Sequence, residues 1–121
     1  MPYEVRVDPE TAIVMLRAYG EGNPAEGAAA FDRAFALVAD AERPRLFIDI
    51  RDLSYTPEAD AARRFADLLA AGARPGQRTA FCCNPGIEFG VARMVATFAD
   101  LRGTEVSAFM DREAAVRWLL E

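Results

Sequence analysis

Apolar residues in the first third of the chain follow two rhythms. In YEVRVDPETAIVMLRAYG, Val5 and Val7, then Ile13, Val14, Met15 and Leu16, flank the segment Asp8-Pro9-Glu10-Thr11. Two apolar runs about an Asp-Pro turn signal predict a β-hairpin. From Asn23 the spacing changes to threes and fours. Ala28, Phe31, Phe35 and Val38 share one helical face, and Asp32 and Arg33 fall on the other. Asn23 is the expected N-cap, Pro24 the first helical residue, and Glu26, three positions after the cap, completes an Asn form of the capping box.

RLFIDI, residues 45–50, is a nearly unbroken apolar run, the mark of a central strand covered on both faces. A short loop from Asp52 to Thr56 then leads to a second helix. That helix is expected to start at Pro57 with Thr56 as cap, to turn Ala62, Phe65 and Leu69 inward, and to end at GARPGQ. Asp60 and Arg64 can pair on its wet side, worth a few tenths of a kcal/mol (roughly). RTAFCC is the next strand. In NPGIEFGVARMVATFADL the pattern predicts a third helix capped by Asn84, with Ile87, Val91, Met94, Val95 and Phe98 as its buried stripe. EVSAFM is the last strand, and Asp111 is placed to cap a closing helix carrying Ala115, Val116 and Leu119. The order β-β-α-β-α-β-α-β-α predicts one α/β domain over residues 1–121. Its sheet is five-stranded, mixed and mainly parallel, with an N-terminal hairpin supplying the antiparallel strand and four helices.

Composition narrows the chemistry. A chain of 121 residues suffices for one domain with a real core. No apolar run approaches the roughly 20 residues a bilayer span needs, and no secretory signal opens the chain, so a cytoplasmic protein without membrane attachment is expected. The net charge is −5 and all 14 basic residues are scattered arginines, which argues against nucleic acid as a partner. Histidine is absent, removing the usual general base and the commonest metal ligand. No metal or cofactor is expected. The two cysteines, Cys82 and Cys83, are adjacent on a strand, so they point to opposite faces and are poorly placed to bond each other or share an ion.

The order, the length and the central strand resemble the anti-sigma-factor antagonist family, the STAS domains, over nearly the whole chain. In that family the central strand ends in an apolar-Asp-apolar triplet, matched here by Ile48, Asp49 and Ile50. A hydrophobic residue follows three positions later, matched by Leu53. An Asp-Ser-Ser-Gly signature then opens the next helix. It falls on Pro57, Glu58, Ala59 and Asp60, none of which agrees, and the family's phosphorylated serine lands on Ala59. In that switch a phosphate adds about −1.5 to −2 charges at a helix N-terminus and so alters which partner docks. Here Glu58 supplies one permanent negative charge in the first turn, and it also fits as an ordinary first-turn acid. The resemblance therefore implies a regulatory domain not toggled at the usual point. Ser54 and Thr56 remain as hydroxyls, Thr56 already assigned to the helix cap.

Three further constellations bear on function. Gly20, Gly22 and Ala25 satisfy G-x-G-x-x-G/A. However, Glu21 and Glu26 put negative charge where a pyrophosphate would lie, and Asn23 and Pro24 satisfy or remove the N–H groups it would need. Asp49 is the one carboxylate inside the apolar run, with Asp52 just beyond it. Burial would raise the pKa of either, or Asp49 accepts N–H bonds from the following loop. With no histidine, lysine or placed nucleophile beside them, no catalytic mechanism assembles. Phe89, between Glu88 and Gly90, falls off the expected buried stripe, either as an exposed contact residue or packed on a neighbouring loop.

The expectation is a non-catalytic STAS-like domain that binds a protein partner or a second copy of itself. Its working surface would be the C-terminal end of the sheet: Asp49, Asp52, Ser54, Tyr55, Thr56 and Glu58, with Asn84 and Phe89 beside them. The alternative is a small-molecule-binding protein or enzyme with a pocket between the loops after Ile50 and Cys83.

Overall fold

The structure, a computed structural model, describes residues 2–54 and 59–121. Asp8 builds the turn that its sequence signals. Its carboxylate accepts from the Thr11 hydroxyl at 2.6 Å, and its backbone carbonyl accepts from Ala12 N at 2.8 Å. The turn joins β1 (Tyr3–Val7) to β2 (Val14–Glu21) in an antiparallel pair. Asn23 caps α1 (Pro24–Ala39), its side-chain oxygen accepting from the amides of Ala25 and Glu26. There follow β3 (Arg45–Ser54), α2 (Ala59–Gly72), β4 (Arg78–Cys82), α3 (Ile87–Asp100), β5 (Glu105–Phe109) and α4 (Arg112–Leu120). Asp111 caps α4 by accepting from Glu113 N at 3.2 Å.

Among the described residues the sheet has five strands in the order β1-β2-β3-β4-β5, parallel from β2 onward. Each crossover steps to the adjacent strand in one direction. With the usual right-handed crossover, that places α1, α2 and α3 on the same face. Side-chain alternation then divides the core in two. Leu16, Leu46, Ile48, Phe81 and Cys83 meet Phe31, Ala34, Ala62, Leu69, Ala92 and Val95 of the three helices. Met15, Phe47, Ala80 and Cys82 meet Ala115 and Leu119 of α4 on the other face. The adjacent cysteines thus lie on opposite faces of the sheet, both buried and free.

Arginines of the sheet end hold the last turn of α4. Arg45 Nε donates to Leu119 O at 2.6 Å, Arg78 Nη1 to Trp118 O at 2.9 Å, and Arg43 to the Glu121 carbonyl. Cations at a helix C-terminus satisfy orphan carbonyls and favour the dipole.

Three local expectations are corrected. The central strand does not end at Ile50. A bulge sets Arg17 opposite Asp49 and Tyr19 opposite Asp52, so β3 carries one extra residue and then continues to Ser54. Asp52 and Ser54 are therefore strand residues rather than loop residues. Asn84 is not the cap of α3; Gly86 occupies that position with φ +92° and no side-chain bond. The buried stripe of α3 is also rotated. Ala92, Val95, Ala96 and Ala99 are buried, whereas Ile87 is 75% and Met94 37% exposed. Small side chains carry that contact because they let the helix backbone lie close to its neighbours, which a reading weighted toward large apolar residues misses. The expected start of α2 at Pro57 and its cap at Thr56 lie outside the described residues.

Two glycines separate packing from helix propensity. A Cβ at Gly72, the last residue of α2, would stand 2.5 Å from Phe35 Cδ2, whereas at Gly90 in α3 it would meet nothing within 4 Å. Gly72→Ala is expected to destabilise the protein by about 1–3 kcal/mol through overpacking. Gly90→Ala is expected to stabilise it by about 0.5–1 kcal/mol. Urea denaturation of the two variants checks the opposite signs.

Candidate functional site

The C-terminal end of β4 lies beside the middle of β3, with Asp49 opposite Cys82. Past them, Asn84 Nδ2 donates to Arg51 O at 2.7 Å. The residue expected to cap α3 instead ties the two chain exits to a common rim.

Asp49, 7% exposed, is the buried carboxylate of this rim. It accepts from Arg51 N at 3.1 Å, Arg51 Nε at 3.0 Å and Arg51 Nη2 at 2.9 Å. Burial pushes the carboxyl up, but the Arg51 side-chain and backbone donors and the positive charges of Arg51 and Arg17 outweigh it. The group is held below the usual carboxylate range. This corrects the expected rise. An ionised carboxylate engaged by a bidentate guanidinium is a poor proton donor at neutral pH. Arg51 was not among the expected site residues, although positions 49 and 51 share a face by strand alternation.

The other expected residues separate. Asp52 is exposed and pairs with Arg17 at 3.0 Å, and Arg17 in turn lies over the Tyr19 ring at 4.5 Å. Ser54 is exposed at the end of β3 beside Glu21. Tyr55, Thr56 and Glu58 lie outside the described residues. Phe89 is half buried against the core beneath α1–α3, with the Arg93 guanidinium 5.9 Å from its ring centre, so it is not a freely exposed aromatic. In the glycine pattern the Ala25 and Glu26 amides are occupied by Asn23. Burial, reinforced by Cys82 and Glu88, pushes the Cys83 thiol up to about 11, and burial raises Cys82 as well. Both are protonated at neutral pH and unsuited to nucleophilic work.

The feature that sequence reasoning did not locate is a cleft between the sheet and the three helices. The sheet contributes Leu16, Ala18, Ile48, Ile50, Leu53 and Phe81. The helices contribute Gly27, Ala30 and Phe31 from α1, Phe65 from α2, and Glu88, Val91, Ala92 and Val95 from α3, with Asn23 at the edge. The bulge in β3 matters here, because it brings Ile50 and Leu53, three apart, to the same face. Phe31 and Phe65 meet edge to face at 5.7 Å on the helical side. The glycine and alanines leave space that larger side chains would fill. The cleft has a volume of about 90 Å³. That is several times the ~10–15 Å³ one water needs. Glu88 is the only charged side chain in the described lining. Its Oε2 is buried and has no hydrogen-bond partner.

Among the described residues there is no cluster of three or more metal-ligating side chains, and no helix is long and apolar enough to cross a membrane.

This architecture is a five-stranded mixed α/β fold, and comparison with known proteins places it. A solved structure from Shewanella loihica PV-4, an uncharacterized protein from the DUF3478 family with a SpoIIAA-like fold, matches with a TM-score of 0.61. The two sequences are 18% identical, and the match covers 98% of this chain and 92% of that one. The present chain has the SpoIIAA-like fold. No protein-family model and no curated protein matches it.

The Asp49–Arg51 pair has a pH signature. Because the folded-state pKa is depressed, its stabilisation is complete above the unfolded value of about 3.9 and is lost as pH falls through the lower folded value. Asp49→Asn is expected to destabilise the protein by about 1–3 kcal/mol at pH 7, less than a fully buried pair would, since Arg51 is partly exposed. Urea unfolding across pH 3–7 should show the gap between variant and parent narrowing below about pH 4. A gap that stays constant would contradict the assignment.

Proposed function

We propose that this chain is a non-catalytic STAS-like regulatory domain that acts by binding, and that its strand-end cleft takes a small apolar molecule. The cleft carries the reading: a concave, nearly all-apolar wall at the C-terminal end of a parallel sheet, where open α/β folds place ligands. The paired state of Asp49 and the protonated, buried thiols support binding over catalysis. Alanine at position 59, where the resembling family carries its serine, supports a domain not switched by phosphate there.

A titration with toluene followed by proton NMR tests the cleft. Saturable binding is expected, weakened at least about tenfold by Ala92→Phe, which fills the space from the α3 side, and less by Ala92→Leu. Circular dichroism verifies that each variant folds. Equal toluene binding by parent and folded variants would contradict the reading.

A second reading, a protein partner or a second copy of the chain, is favoured by one observation. Ile87, Met94 and Leu101 recur every seventh residue along α3 and its end, and are 75%, 37% and 77% exposed. Seven-residue apolar spacing suits a docked helix. Sedimentation should show concentration-dependent mass that Leu101→Glu abolishes; a monomer at all concentrations would count against self-association.

A further inference from the structure

β1 lies at an edge of the sheet: β2 pairs with one side of it, and no strand among the described residues pairs with the other. The two ends of the hairpin give the phase of its hydrogen bonds. Tyr19 N donates to Pro2 O at 3.1 Å and Asp8 N to Ile13 O at 2.9 Å, in the register that sets Glu4 opposite Arg17 and Arg6 opposite Met15. Bonded and non-bonded pairs alternate along an antiparallel ladder, so Pro2, Glu4, Arg6 and Asp8 turn their peptide groups toward β2. Tyr3, Val5 and Val7 therefore aim theirs outward, where no backbone partner meets them among the described residues. The side chains alternate as well. Tyr3 and Val5 rest on the core beneath α1–α3, and Val7, on the same face, is exposed. Glu4 and Arg6 stand on the opposite face near Arg17, Met15 and Phe47. Both are exposed, and neither forms an ion pair among the described residues.

We propose that a second copy of this chain pairs with this edge, β1 antiparallel to β1 about a twofold axis at Val5. The outward peptide groups of Val5 then face those of Val5 in the second copy, and those of Tyr3 face Val7, so each outward N–H and C=O of the strand gains a partner. At the non-bonded positions, where cross-strand side chains come closest, Glu4 meets Arg6 of the second copy and Arg6 meets its Glu4. Sliding the register by two residues keeps the hydrogen-bond phase but sets Glu4 against Glu4, or Arg6 against Arg6. Charges on an edge strand usually guard it against pairing. Here their alternating sign admits one alignment and opposes its neighbours. On the other face Val7 is covered by Tyr3 of the second copy. Both copies use the same patch, so the contact closes as a dimer. A strand of five residues makes a small contact, and the dimer is weak and exchanging. The pairing is independent of the cleft reading, and for a second copy it competes with the α3 row.

Sedimentation equilibrium at protein concentrations up to about 1 mM reads the association. Parent and Leu101→Glu are expected to associate alike, which separates this edge from α3. Glu4→Arg and Arg6→Glu each set like charges against each other at both symmetry-related positions, and each should weaken association about tenfold or more. Circular dichroism verifies that both variants fold. Mixing the two variants puts opposite charges at both positions again and should return the affinity to near the parental value, a recovery that a damaged fold would not show. A parent that stays monomeric overturns the proposal. So does association that Leu101→Glu abolishes, association that both charge reversals leave unchanged, or a mixture no tighter than either variant alone.

Discussion

The direction of the crossovers governs this molecule. The chain steps from β2 to β3 to β4 to β5, each time to the next strand on the same side, so one hand of connection stacks three helices on one face. The other face is left to α4 alone, which packs mainly over β3, β4 and β5. The first face is an apolar layer on which helices must fit together. The second, toward β1 and β2, is charged: Glu4, Arg6, Arg17, Asp49 and Arg112 stand around Met15 and Phe47. The sheet is thus coated unevenly because of connectivity, and the interesting space lies where three helices meet above the strand ends.

What occupies those strand ends decides the kind of function. On the charged side, Asp49 is bound by Arg51, and Asp52 is paired with Arg17. On the apolar side, small residues on α1 and α3 keep the helices from filling the gap above Ile48 and Ile50. At those ends one face pairs its charges internally; the other presents unfilled apolar space.

The order of elements was legible because each rests on a strong local signal. Examples are the Asp8-Pro9 turn, Asn23 before Pro24, the RLFIDI run and Asp111 before the last helix. The opposite placement of Cys82 and Cys83 followed from strand alternation alone. Most of the misreadings depend on partners distant in the chain, whereas the Asp49 shift is set by a residue only two positions on. Asn84 satisfies every local rule for a cap, yet its amide finds Arg51 O, thirty-three residues away. The extension of β3 requires the bulge against β2. The α3 stripe was misjudged because alanines, which bury little area, mark the closest helix approach. Burial of Asp49 was legible, but the direction of its shift depended on Arg51, visible only as a residue two positions on along the same strand. Glu88 offered no signal beyond being an acid between Ile87 and Phe89, since its character comes from the wall around it.

The central claim is spatial: an apolar molecule enters between the sheet and the helices, not onto the outside of α3. Intermolecular nuclear Overhauser effects between bound toluene and the protein methyls test this most directly. The account expects cross-peaks to Leu16, Ile48 and Val95 and none to Ile87 or Leu101. Cross-peaks confined to Ile87, Met94 and Leu101 would contradict it.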